Sequence, residues 1–441
     1  MSRYPLTGNP LRALVTDTVR PNHLPDVAWL EEYLAAGAPA GEPLMLSLGE
    51  TYDHTPGPLL KALSQVPGSS HGYQISMYGL PELRTVLKDY VADTQRLPYT
   101  PGWELAVSWT GTRSAMRDFA LHVAAERARA GRPPGRILAI APAWDYAGFT
   151  EPLGFATSYV PFDPDRPDGP SVSDIRQAAA AHGPGELSLV VVNAQHNPTG
   201  ANFSPDVVGA LVDVALEDEA AILVDDAYYG ACPPEQVTSA LRILLDRLGG
   251  NTRAVPWLGV RSLGKQFHCN GWALGAVVAE PHLLDTLVND IRPQHTFNTA
   301  VHLQWAMAQW LSDSAAVAAY LDQERTATAK KRAVVLDRLP DDVRRRTIAG
   351  PAAPYLLMPV PAGWSTPEYL RRAVLDCGVL LSDAWPLARL GPGGSSGYAR
   401  LYLGPDQEVL TEAMDRLESA GLWPGTGTAA ASGQPRDRWE P

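Results

Sequence analysis

The sequence predicts an α/β protein: a large domain on a mainly parallel sheet sandwiched by helices, plus a smaller α+β domain drawn from the two chain ends. Three observations predict it. From about residue 105 to 279, short apolar runs alternate with helical stretches. These runs are continuous rather than alternating, which marks strands covered on both faces. Beyond Pro281 the pattern is mostly helical, with two later strand-like runs each beside a helix.

Taken in order, the chain begins irregularly, with a helical pattern at 27–36 and a short strand at 43–49 that ends on Gly49. Thr55-Pro56 opens a helix to about 66, with proline in its first turn. A polar, aromatic loop at 71–79 leads into an amphipathic helix carrying Leu83, Val86, Leu87, Tyr90 and Val91 on one face. Strands are predicted at 106–109, 137–140, 187–193, 220–224, 257–260 and 274–279, with helices at 114–130 and 205–217. A long helical stretch spans 298–339. Strands at 353–358 and 399–403 accompany helices at 367–377 and 406–419. The expected division is 1–60 joining the small domain, 61–300 as the large domain, 301–423 as the small domain, and a Gly/Ala/Ser/Pro-rich disordered tail from 424.

Composition narrows the function. At 441 residues the chain has room for two cores. A net charge of −12 argues against a nucleic-acid partner. Cys232, Cys269 and Cys377 are few and scattered, so neither a disulfide framework nor a metal cluster is suggested. No signal pattern or membrane-length apolar run is present, so a cytoplasmic location is expected.

In parallel sheets ligands bind beyond the carboxyl ends of the strands, so the residues directly after each run matter most. Gly111, Thr112 and Arg113 follow the first strand and open a helix, which suits either an anion or an ordinary N-cap at Thr110 or Thr112. Trp144 follows the second, as a ring stacker or a core residue. Asn197-Pro198-Thr199-Gly200 follows the third, with a candidate cis bond before the proline. Asp225-Asp226-Ala227-Tyr228 follows the fourth; a carboxylate delivered into a low-dielectric site requires a cationic partner. Ser262-Leu263-Gly264-Lys265 follows the fifth, and a lysine held there out of bulk water has an amine free to form a Schiff base. An anion cradle, a ring stacker, an amide, a carboxylate and an amine are the parts that hold pyridoxal 5'-phosphate.

The ordered set Asn197-Pro198-Thr199-Gly200, Asp225-Asp226-Ala227-Tyr228 and Ser262-Leu263-Gly264-Lys265 resembles the fold-type I pyridoxal-phosphate enzymes. Within them it is most similar to the class I/II aminotransferases and the aminocyclopropane-carboxylate synthases, from about Leu44 to Leu417. The resemblance implies a seven-stranded sheet and a homodimer whose active site lies at the subunit interface. It implies Lys265 as the Schiff-base lysine, Asp225 as the pyridinium partner, and Asn197 and Tyr228 at the ring's phenolic oxygen. Trp144 would stack on the ring, and Gly111, Thr112 and Ser262 would bind phosphate. Arg400 matches the arginine for the substrate α-carboxylate, a bidentate pairing, and Gly49 a substrate-side backbone position. Tyr73 or Tyr78 matches a tyrosine that reaches the neighbouring subunit's phosphate; the loop leaves both open.

The chain departs from the family at one important place. Gly271-Trp272-Ala273-Leu274-Gly275 stands where the family carries Gly-x-Arg-x-Gly. Ala273 forgoes a charge-assisted phosphate contact typically worth about 1.5–3 kcal/mol, for which Arg113 or Arg261 is expected to compensate. The expected reaction is transamination of an α-amino acid. The alternative is β- or γ-elimination, replacement or cyclisation of the kind found in secondary metabolism, some of it on S-adenosylmethionine. His54, His71 and His268 are either additional acid–base groups or solvated loop residues. A ligand sensor would need room for a DNA-binding module before Leu44, and a pseudoenzyme would not keep Lys265, Asp225 and Asn197.

Overall fold

The computed structural model describes residues 25–47, 54–73, 75–98, 100–163, 166, 168–297, 300–385 and 396–422. Gly49 and the expected tail from 424 lie outside the described residues. The chain forms two compact units. The smaller takes the described residues of 1–49, 328–349 and 354–437; the larger takes those of 50–327 and 350–353.

The larger unit is built on a seven-stranded sheet. Its strands are β1 (Glu104–Val107), β2 (Arg136–Ala141), β3 (Ala156–Pro161), β4 (Leu187–Val192), β5 (Ala221–Asp226), β6 (Trp257–Ser262) and β7 (Gly275–Ala279). Their order is β1-β7-β6-β5-β4-β2-β3. Only β7 runs against its neighbours, and the other adjacent pairs are parallel. The fold class and strand count agree with expectation. Every residue of β4 and β5 is buried, as continuous Val/Ile/Leu runs require. The sequence reading missed β3 for the complementary reason: it is the edge strand, half-exposed, and its Ala-Thr-Ser-Tyr-Val-Pro composition holds no apolar run.

Helices include α1 (Pro81–Gln95), α2 (Thr112–Arg129), α3 (Val172–Ala180), α4 (Pro205–Glu217), α5 (Ala240–Leu248), α6 (Val301–Leu311) and α7 (Ser314–Arg338). Their starts are legible in local chemistry. Ser171, Ser204 and Ser239 each cap a helix by accepting the N–H three residues on. The long helical stretch expected at 298–339 contains two helices, because the Asp313 carboxylate accepts the N–H of Ala316 at 3.0 Å and restarts the helix as α7. No helix among the described residues is long and apolar enough to cross a membrane.

The smaller unit holds an antiparallel sheet in which Tyr398–Tyr402 lies between Tyr355–Pro359 and Ser382–Asp383. A two-residue parallel pair joins Leu44–Met45 to Val379–Leu380. Helices Thr366–Cys377 and Gln407–Ser419 pack their apolar faces into a core containing Leu46, Met358, Tyr369, Leu401, Leu410 and Leu417.

Candidate active site

The carboxyl ends of β4, β5 and β6 are adjacent in the sheet, so the segments that follow them lie side by side. Asn193, just past β4, ties two of these ends together. Its Nδ2 donates to the Asp225 carbonyl at 2.7 Å, and its Oδ1 accepts the Asn197 N–H at 2.9 Å. The Asn197-Pro198 peptide is cis, as is Ala141-Pro142. The Asn197 Nδ2 reaches the Tyr228 hydroxyl at 3.4 Å, which places the two predicted ring-oxygen partners together.

Asp225 is the site's buried charge. Its Oδ2 accepts a hydrogen bond from the Tyr146 hydroxyl at 2.8 Å. Burial lifts its pKa from the usual 3.8 to about 6, while Tyr146 and the nearby positive charge of Lys265 act in the opposite direction. Among the described residues no cationic side chain pairs with it within 4.0 Å. Tyr146, buried against the same carboxylate, has its pKa raised and remains a neutral donor. Lys265 lies on a short helical turn, Leu263–Gln266, directly after β6, and its side chain is exposed. The expectation that this amine is held out of water therefore does not hold: Lys265 is exposed, whereas Asp225 is buried.

The loop before α2 carries no side-chain cap. The residue before α2 is Gly111, at φ +88°, and no side chain caps the helix. Thr110 instead bonds Ser114 through its hydroxyl at 2.7 Å, and Thr112 is already helical. The first-turn N–H groups of α2 therefore have no side-chain cap. Ala273 faces this loop: a methyl placed on Gly111 would lie 3.8 Å from its Cβ. The alanine therefore occupies the loop's vicinity, where the family places an arginine. Ser262 immediately precedes the Lys265 turn and caps it by backbone position alone.

The two arginines offered as substitutes differ. Arg113 sits on α2 with its guanidinium 4.9 Å from the Trp144 ring centre and 2.6 Å from the Asp145 carboxylate. Trp144 is half-buried and meets Tyr146 edge-on at 5.4 Å. Arg261 is buried on the other side of β6, donating to Asp226 at 2.7 Å and to Thr94, with its guanidinium 4.2 Å from the Tyr229 ring. It is committed to a packed network, so the compensation expected of it fails. Tyr78 is likewise committed, donating to Asp285 at 2.6 Å. Tyr73 is 93% exposed.

In the smaller unit, Arg400 is buried in the central strand. It donates to the Ser47 carbonyl and to the Ser382 hydroxyl, each at 2.9 Å, and lies 4.5 Å from the Tyr355 ring centre. His196, within the Asn197 segment, is a packing residue. It lies beside Phe162 and Phe203, bonds Thr199 at 2.7 Å, and burial lowers its pKa to about 3. Sequence reasoning missed Tyr146, Asp145 and the linking role of Asn193. Only the position of the first two beside Trp144 could have signalled them.

The family model for class I and II aminotransferases matches residues 44–417. This chain belongs to the class I and II aminotransferase family. It is a pyridoxal-phosphate-dependent transferase by that membership, and the family's cofactor finds suitable partners here: an uncapped helix N-terminus, and a buried carboxylate with, among the described residues, no cationic side chain within 4.0 Å. Among relatives, an aspartate/prephenate aminotransferase of Thermus thermophilus is 24% identical over 374 residues, covering 84% of this chain and 89% of that protein. An LL-diaminopimelate aminotransferase of Aquifex aeolicus is 20% identical over 383 residues, covering 86% and 91%. A solved aspartate aminotransferase of Thermus thermophilus superposes with a TM-score of 0.74 at 20% identity, covering 91% of this chain and 97% of that one. That likeness shows the aminotransferase to have the fold-type I architecture.

Proposed function

We propose that Lys265 carries pyridoxal phosphate and that the reaction is exchange of an amino group between an α-amino acid and a 2-oxo acid. The observation that supports this best is the buried Asp225 carboxylate, with a tyrosine donor on one oxygen and, among the described residues, no cationic side chain within 4.0 Å. A buried anion is costly unless paired, and a protonated pyridine nitrogen is a fitting partner. When bound, the cofactor supplies an electron sink that labilises the substrate's α-hydrogen.

The chain's own residues then divide the work. Asp225 holds the ring-nitrogen proton, and Tyr146 fixes the carboxylate's orientation. Asn197 and Tyr228 donate toward the ring's phenolic oxygen. Gly111, Thr112 and Ser262 hold phosphate, with Arg113 in the role left open by Ala273, and Trp144 lies against the ring. The Lys265 amine would take up and return the substrate's α-proton at Nζ. On the family resemblance, Arg400 receives the substrate carboxylate. Tyr73, exposed where Tyr78 is engaged, is the tyrosine we assign to a second copy's phosphate in a homodimer.

The test is a single-turnover assay of the loaded enzyme with a panel of amino acids, first without any 2-oxo acid. Release of one equivalent of 2-oxo acid per site, with turnover resuming only when an acceptor is added, is the expected result. Continuous product release without an acceptor would instead establish elimination, replacement or cyclisation. Unchanged behaviour of Lys265→Ala would remove Lys265 from the mechanism.

A further inference from the structure

We propose that His54, His268 and Glu324 form a binding site for one divalent first-row transition ion. The inference goes beyond the amino-transfer reading and does not depend on it. The three side chains come from separate parts of the larger unit: a turn before the helix Gly57–Leu63, the segment following the Lys265 turn, and the middle of α7. Each offers one ligand atom, and the three atoms lie within 4.8 Å of one another.

The spacing suits a metal. In a tetrahedral site with bonds of about 2.0–2.1 Å, two ligand atoms are roughly 3.3 Å apart. The His268 Nε2 and the Glu324 Oε2 are 3.3 Å apart already. The His54 Nδ1 is 4.0 Å from the same oxygen, a distance that a small imidazole rotation closes. The two rings are tilted by 53° with centres 5.5 Å apart, so they converge on Glu324 rather than stack. The three side chains are only 15–23% exposed, partly shielded from competing water yet open to an ion.

The surrounding residues hold this geometry. His268 has φ +50°, a left-handed conformation that few non-glycine residues adopt. Its carbonyl accepts the Thr55 hydroxyl at 2.6 Å, which ties it to the residue next to His54. The Tyr320 hydroxyl donates to the His54 carbonyl at 3.0 Å. Tyr320 and Glu324 are four residues apart on α7 and so share a face, one positioning a histidine and the other meeting both. Two imidazoles and one carboxylate suit zinc, cobalt, nickel or iron(II) and leave a coordination position open. An ion there would fix the segment three residues after Lys265.

The experiment uses the full-length, cofactor-loaded protein stripped of metal with a chelator. Zn²⁺ is titrated by calorimetry, and metal retained after desalting is counted. One Zn²⁺ per chain is expected, with Co²⁺ giving a visible absorption of low coordination number. His54→Ala and Glu324→Gln should each weaken Zn²⁺ about 100-fold, and Tyr320→Phe about tenfold. Circular dichroism checks that each variant is folded. Should a ligand variant fail that check, Tyr320→Phe and His268→Ala carry the test. No Zn²⁺ binding by wild type, or equal affinity in the folded variants, would overturn the proposal and leave a hydrogen-bonded His–Glu–His cluster.

Discussion

Asp225 and Asp226 are consecutive in β5, equally buried, and treated in opposite ways. Successive strand residues face opposite sides of a sheet, so the two carboxylates look onto different layers. On one side Asp226 is paired across the sheet with Arg261, its register partner, and with the Gln95 amide at 2.6 Å. On the other, Asp225 receives a tyrosine hydroxyl and, among the described residues, no cationic side chain within 4.0 Å. The first is a structural ion pair through one carboxylate oxygen, with Asp226 Oδ1 left without a hydrogen-bond partner among the described residues. The second retains the electrostatic cost of burial, which a cationic ligand would offset.

The largest expected effect falls on the paired side. Arg261→Ala strands the Asp226 charge and should cost about 3–5 kcal/mol of stability, read by denaturant unfolding, while the folded protein keeps wild-type cofactor affinity. A loss of cofactor affinity with no loss of stability would erase the distinction between the two faces. On the other side the signature is pH. Folded Asp225 titrates near 6 against an ordinary 3.8, so the folded state binds that proton more tightly than the unfolded chain does. Its contribution is present below about pH 4 and is lost as pH rises through 6, costing the cofactor-free protein about 3 kcal/mol by neutral pH. Pyridoxal phosphate should flatten that slope. Asp225→Asn should abolish it and lower kcat by about 10²–10³-fold. An equal slope with and without cofactor would show that the ring nitrogen does not meet Asp225.

Much of this was legible in the sequence because buried parallel strands write themselves as apolar runs, and the residue after each run is fixed at the sheet's edge. Asn197, Asp225 and Lys265 were singled out as candidates that way. The opposed roles of Asp225 and Asp226 were also within reach, since adjacent strand residues cannot share a face. What local pattern could not supply was pairing between distant segments. Tyr146 meets Asp225 across 79 positions, and Arg261 looked available until its partners Thr94, Asp226 and Tyr229 were in place. The edge strand β3 was invisible because half-exposed strands need no continuous apolar run.

The smaller effects sharpen the same contrast. Arg113 is 43% exposed and can exchange Asp145 for phosphate at little cost to folding. Arg113→Ala should weaken pyridoxal-phosphate binding by about 1.5–3 kcal/mol, roughly 10–150-fold in Kd, with stability nearly unchanged. This is the mirror image of Arg261→Ala, and a stability loss without an affinity loss would contradict the assignment. Tyr146→Phe gives the smallest change. Removing its hydroxyl takes away the hydrogen bond that holds the Asp225 pKa down, so the cofactor-free stability transition should move to higher pH. The aromatic ring remains to pack on Trp144 and Phe149, which keeps the volume change small. Stability below pH 4, where Asp225 is protonated in both states, should change only by the loss of a neutral hydrogen bond, about 1 kcal/mol. A uniform loss at every pH would mean that Tyr146 serves packing and that Asp225 owes its poise to burial alone.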